Sequence, residues 1–247
     1  MLKYIFLGLV QGLTEFLPVS SSGHLVILQK ILGLGGEELA TTIILHLGTA
    51  LALVIFFFKD ILGLFKDKKL LGMVALVTVI TGSIGLLGGE FFENLFSSVR
   101  LVAVSLMVTG IILIFTRKIQ HHYRKNPLPA DALILGVTQG IAIIPGISRS
   151  GITIATLLFR GLDRETSFKF SFLAAIPVIF AAFLLELKNI HLALNADFAF
   201  LVVGFVSSFL SGLLALHILK LILQKAKLHY FGYYCIIVAC LTLLFVR

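Results

Sequence analysis

Charge is what this 247-residue sequence is poorest in: 13% of it is Asp, Glu, Lys or Arg, while 59% is hydrophobic. Ordinary soluble domains carry roughly a quarter charged residues, so a water-soluble globular protein is excluded and a polytopic membrane protein is expected. A spanning helix uses about 20 apolar residues, which leaves a chain of this length no room for a separate aqueous domain. Cysteine is almost absent. Cys235 and Cys240 lie in one apolar run and point to different helix faces, so they read as packing thiols and not as a disulfide. No cleavable leader is evident, because the first apolar stretch is short and runs into Gln11, Glu15 and Pro18. The charge that is present leans positive, 20 Lys+Arg against 12 Asp+Glu. That surplus reads as cytoplasmic loops facing anionic membrane lipids, and no nucleic-acid partner is expected.

Six apolar segments read as crossings, at roughly 39–58, 70–89, 101–116, 168–185, 198–219 and 230–246. They must be helical, since a bilayer leaves an open strand edge unsatisfied. Two further segments, about 4–33 and 130–160, are interrupted by Pro18 with Ser20, Ser21, Ser22 and Gly23, and by Pro145, Gly146, Ser148, Ser150 and Gly151. A proline among small polar residues ends a helix, so each segment is expected to be a helix, a break and a second helix. The two are copies: GLVQGLTEFLPVSSSG starts at Gly8 and GVTQGIAIIPGISRSG at Gly136, an offset of 128. The expected fold is therefore all-α, one integral-membrane domain of two repeats, about 1–122 and 128–247, each with one broken segment followed by three crossings.

Charge placement orients the halves. The loops Lys59–Lys69, Arg117–Asp131 and Lys220–Lys227 hold four, four and three basic residues and read as cytoplasmic. The loops holding Glu90, Glu93 and Arg100, or Glu186, Lys188 and Asp197, then face outward, as does Arg247. Residues 129 and 162 both fall in the cytoplasm, so the second broken segment enters and leaves by one face. Three crossings per half invert one repeat relative to the other, and the first broken segment re-enters from outside. Irregular backbone survives at that depth only when buried in protein or lining a wet cavity. The two tips are expected to meet and form a site.

Eleven of the twelve acidic residues lie in loops or at span ends; the exception is Glu15. Arg149 is its basic counterpart on the other tip. An intramembrane charge is a functional hypothesis by default, although the two could instead only pair and tie the repeats together. The chemistry is not duplicated: Glu15 stands over Ile143, His24 over Ile152 and Ser21 over Arg149. In the first tip Ser21 and His24, three residues apart, are expected on one helix face, with the imidazole activating the hydroxyl and Glu15 orienting it or holding a cation. In the second, a half-helix starting near Ser148 offers N–H groups to an anion and Arg149 a planar fork for phosphate oxygens. Ser148, Ser150 and Thr153 add hydroxyl donors, and Gly146 and Gly151 allow close backbone approach. His46, in a span, could line the cavity but reads first as packing, His121 and His122 read as solvated loop residues, and Tyr230, Tyr233 and Tyr234 as an interfacial anchor.

EFLPVSSSGH (Glu15 to His24) and PGISRSGIT (Pro145 to Thr153) resemble the two signature motifs of the undecaprenyl pyrophosphate phosphatase family, the integral-membrane bacitracin-resistance proteins. The likeness spans the chain in length and repeat layout. It implies hydrolysis of an isoprenyl diphosphate lipid carrier to its monophosphate and inorganic phosphate, at the outer face of the bacterial cytoplasmic membrane, in support of peptidoglycan synthesis. It also implies a divalent cation, Mg²⁺ or Ca²⁺. The family's acidic motif falls on Gln11 and Glu15, its serine and histidine on Ser20, Ser21 and His24, and its phosphate-contacting arginine on Arg149, with Ser22 expected beside them as a phosphate-binding hydroxyl. With Gln11 in the first acidic place a single carboxylate remains, so a metal held by Glu15 and Gln11 would lean on substrate oxygens and water. Oligomeric state is not legible, and a homodimer stays among the partners considered. The rival class is an alternating-access carrier for a phosphorylated lipid or anion, since inverted re-entrant repeats with a midplane charge describe those too.

Overall fold

The computed structural model of the protein describes residues 1–32, 38–96, 98–119, 123–186 and 198–246. His121, His122, Lys188 and Arg247 lie outside the described residues. Among the described residues the regular elements are helical, apart from one isolated bridge between Arg124 and Leu162. In chain order they are α1 (Leu2–Phe16), α2 (Ser21–Leu32), α3 (Glu38–Phe56), α4 (Phe58–Leu64), α5 (Lys68–Leu87), α6 (Gly89–Phe96) and α7 (Val99–Phe115). After a 3₁₀ turn come α8 (Pro129–Ile141), α9 (Arg149–Phe159), α10 (Arg164–Glu186), α11 (Phe198–Gln224) and α12 (His229–Phe245).

Four helices are long and apolar enough to cross a bilayer, those over Lys68–Leu87, Val99–Lys118, Arg164–Leu185 and Ala199–Gln224; α3 and α4, bent by 69° at Phe57, make a fifth. The sixth expected crossing coincides with α12, which is apolar but 17 residues long. Leu87, Leu244 and Leu184 stand out from the surface with most of their side chains uncovered. A lipid solvent makes that exposure cheap.

The expected breaks are present. Pro18 pushes Leu17 to extended backbone (φ −63°, ψ 144°) and ends α1. The chain then turns through Ser20, at φ +67°, into α2. In the second segment α8 ends at Ala142, and Gly146, at φ +93°, turns the chain toward α9. Equivalent serines cap the half-helices that follow: Ser20 Oγ accepts from the Gly23 N–H and Ser148 Oγ from the Gly151 N–H, both at 3.2 Å.

Small residues decide how the hairpins pack. α1 lies along α11 so closely that a Cβ on Gly12 would stand 1.9 Å from Ser211 Oγ, and α8 lies along α5, with Gly140 against Ile84. α7 packs along α12. Antiparallel α3 and α10 flank the centre, and four buried rings, Phe16, Phe57, Phe168 and Phe172, interlock there with centroids 5.1–5.8 Å apart. At the feet of the α8–α9 hairpin the fully buried Asp131 carboxylate accepts from Arg124 Nη1 (2.6 Å) and Nη2 (2.7 Å), Arg160 Nε (3.0 Å) and the Leu128 N–H (2.7 Å). Burial alone would raise that carboxyl's pKa, but these hydrogen bonds hold it below the usual carboxylate range.

Candidate active site

Both breaks open onto one cavity of about 270 Å³, lined on its polar side by Thr14, Glu15, Ser20, Ser21, Ser22, His46, Ser148 and Arg149. Glu15 is its centre. The Arg149 guanidinium donates to Glu15 Oε1 across the two hairpins, and Oε2 accepts from Ser21 Oγ (2.6 Å) and Gln11 Nε2 (3.1 Å). Both charged side chains are largely covered, Glu15 10% and Arg149 20% exposed. His46 Nε2 lies 3.9 Å from the same carboxylate, its ring anchored through Nδ1 to the Thr42 carbonyl at 2.8 Å. α2 and α9 begin at Ser21 and Arg149, so both half-helices aim their first N–H groups and positive dipole ends at this space. A guanidinium, two helix starts and four serines around one cavity make an anion site in which one hydroxyl, that of Ser21, is already bonded to a proton acceptor.

The remaining sequence candidates sort differently. Ser21 and His24 do not form the expected pair. Helical spacing leaves them neighbours, but the imidazole is drawn away: Nδ1 meets the Ser20 carbonyl oxygen and Nε2 the Tyr234 hydroxyl, each at 2.8 Å. His24 instead lines a second, almost wholly apolar groove of about 820 Å³ between α1, α2 and α12. Thr14 lines both spaces. Gly146 packs on α7, its carbonyl accepting from Thr109 Oγ1 (3.0 Å), and a Cβ there would lie 2.2 Å from the Val102 carbonyl. Thr153 is buried between the Arg149 carbonyl (2.6 Å) and Ser171 Oγ (2.7 Å), and Ser150 bonds Ser148 Oγ (3.3 Å) and the Leu17 carbonyl (3.4 Å). These three shape the second tip without lining the cavity. His46, read as packing, is the imidazole that faces Glu15. It lies within α3, away from either break, and only the rule that an ionisable side chain inside a membrane marks a site would have found it. Tyr234, read as an anchor, holds His24. Cys235 is buried and free, and Cys240 exposed and free.

The residues present do not form a cage for a resident divalent cation. Among the described residues no group of three or more His, Cys, Asp or Glu side chains converges. Glu15 is the one carboxylate at the centre and both of its oxygens are engaged, one by a guanidinium. Gln11 adds a buried amide oxygen without a hydrogen-bond partner. One neutral oxygen beside a committed carboxylate falls short of the oxygen-rich shell a hard cation requires.

The family model of bacitracin resistance protein BacA matches residues 4–241. The chain belongs to that family. Three curated relatives of this BacA-family chain are named undecaprenyl-diphosphatase. One from Halothermothrix orenii is 45% identical over 98% of this chain and 96% of the relative. One from Carboxydothermus hydrogenoformans is 46% identical over 93% and 91%, and one from Methanococcus maripaludis (strain C7) 39% over 99% and 100%.

Proposed function

We infer that this chain is an undecaprenyl-diphosphatase, a hydrolase that removes the terminal phosphate of undecaprenyl diphosphate, the activity its relatives are named for. The observation that carries the reading is the Ser21 hydroxyl donating to Glu15 while Glu15 bridges the hairpins to Arg149. The diphosphate enters the cavity, draws Arg149 onto its oxygens and rests against the starts of α2 and α9. Glu15, released from the guanidinium, takes the Ser21 proton as Oγ attacks the terminal phosphorus. The bond from that phosphorus to the bridging oxygen breaks, and undecaprenyl phosphate leaves. Water then hydrolyses the phosphoserine to inorganic phosphate. Positioning and charge stabilisation do most of the work, as in other phosphoryl transfers. The expected divalent cation enters this scheme only as a companion of the substrate, held by diphosphate oxygens and water, and no step depends on it. The prenyl chain runs past Thr14 into the apolar groove.

The finer architecture belongs to the same proposal: six crossings, two inverted repeats and a cavity open to the external side of the cytoplasmic membrane. The matching serine caps and the exchanged partners of the hairpins, α1 on α11 and α8 on α5, support it. So does the charge of the loops. The decisive experiment is phosphate release from detergent-solubilised protein with an acid quench. Turnover with no membrane to cross rules out a pure carrier, and a trapped phosphoserine that disappears in Ser21→Ala supports the serine. Full turnover by Ser21→Ala rejects it in favour of direct attack by water.

A further inference from the structure

The turn that aims Ser21 is strained, and the strain occurs on one side of the repeat. Ser20 lies in the left-handed region at φ +67°, where non-glycine residues are uncommon, whereas its counterpart Ser148 caps α9 at an ordinary φ of −77°. Both serines accept the first helical hydrogen bond through their carbonyls, from His24 N at 3.1 Å and Ile152 N at 2.9 Å. Only the Ser20 carbonyl receives a second, from His24 Nδ1 at 2.8 Å. A carbonyl oxygen can only accept, so Nδ1 carries the hydrogen, and the neutral ring then presents Nε2 as an acceptor. The Tyr234 hydroxyl, 2.8 Å away on α12, fills that place, its ring parallel to the imidazole within 4°. The second hairpin has Ile152 where the first has His24, and neither the chain of bonds nor the strain.

We propose that Tyr234 is a positioning residue for the phosphatase reaction, acting through His24 to hold the Ser20 turn that points Ser21 at Glu15. The asymmetry has a reason in reach. Arg149, at the position equivalent to Ser21, crosses the cavity on a long side chain from an unstrained turn. A serine hydroxyl sits one carbon from the backbone, so the backbone itself must be bent to deliver it. Tyr234 and His24 brace that bend from the groove side, without facing Glu15.

The inference rests on Ser21 and Glu15 being the reacting pair, and the test separates the two. Steady-state phosphate release from undecaprenyl diphosphate in detergent is measured for Tyr234→Phe, for His24→Asn, His24→Gln and His24→Ala, and for Ser21→Ala, with thermal melts of each. Tyr234→Phe is expected to lower kcat about tenfold with KM within about twofold and an unchanged melting temperature, because misaimed reacting groups cost rate more than binding. Asn places an N–H where Nδ1 stood, so His24→Asn keeps kcat within about tenfold of the native value, while Gln and Ala lose about a hundredfold. Wild-type kcat in Tyr234→Phe overturns the proposal, and so does equal loss in all three His24 variants, the pattern of a general base. Full activity in Ser21→Ala rejects the reaction scheme; an inactive Ser21→Ala beside a wild-type Tyr234→Phe rejects the positioning role alone.

Discussion

Glu15→Gln should separate binding from turnover in opposite directions. The amide keeps the shape of the carboxylate, and its oxygen can still accept from Ser21, but it no longer neutralises Arg149. In the native protein an incoming diphosphate must displace Glu15 from the guanidinium, giving up a hydrogen bond between charged groups, about 1.5–3 kcal/mol. Removing the competitor returns that energy to the ligand, and at about 1.4 kcal/mol per tenfold inorganic pyrophosphate should bind roughly 10- to 100-fold more tightly. The pair is mostly shielded, Glu15 10% and Arg149 20% exposed, so solvent screening removes little of this. Turnover should fall by about 10²- to 10⁴-fold, the usual loss when a proton acceptor is removed. Titration calorimetry with pyrophosphate and a phosphate-release assay on the same preparation read the two effects. Unchanged or weaker pyrophosphate binding would refute the competition at Arg149, and near-native turnover would refute Glu15 as the acceptor.

Arg149→Lys keeps the charge but loses the planar fork, and kcat/KM should drop about 10- to 100-fold by the same assay. Asp131 is held below its ordinary pKa by Arg124, Leu128 and Arg160 in the fold, so its contribution to stability is present above the unfolded carboxylate value and is lost as pH falls through the lower folded one. Melting temperatures from pH 7 down to pH 3 should therefore fall more steeply for the native protein than for Asp131→Asn, and parallel curves would contradict the clamp. Gly12→Ala places a methyl 1.9 Å from Ser211 Oγ and 2.5 Å from the Ser208 carbonyl. It should cost about 1–3 kcal/mol in denaturant unfolding, while Gly63→Ala, in helix α4 with open space around it, should instead gain about 0.4–1 kcal/mol because alanine is the better helix former.

Much of this arrangement was legible in the residues because it is local or repeated. Pro18 and the serines after it mark a break by their own backbone chemistry, and the copy of that pattern 128 residues later marks the second. Glu15 and Arg149 stood out as charges at depth, and they meet. What was not legible depends on helices brought together from far along the chain. His46 arrives from α3 and Tyr234 from α12, and neither carries a periodic or motif signal of its own. The expected partnership of Ser21 with His24 failed because helical spacing says which residues are neighbours but not which carbonyl will capture a ring. The bond to the Ser20 oxygen, four residues back, decided that. Asp131 looked like a loop charge, and only the return of Arg160 at the end of α9 encloses it.

The interlocked phenyl rings have a bearing on how such an enzyme coexists with an energised membrane. Two of them, Phe57 and Phe168, line another hollow, where Asp60 and Lys169 pair at 3.3 Å, and Phe172 lies along α10 between Phe168 and Val178 of the polar cavity. Joined, the two hollows would make a wet path nearly through the protein. Phe16, Phe57, Phe168 and Phe172 interpose a layer with no hydrogen-bonding atom in its side chains, across which neither a proton nor a hydrated ion has a foothold. If the polar cavity is the phosphate site proposed above, that layer would let it sink into an ion barrier without short-circuiting the gradient across it.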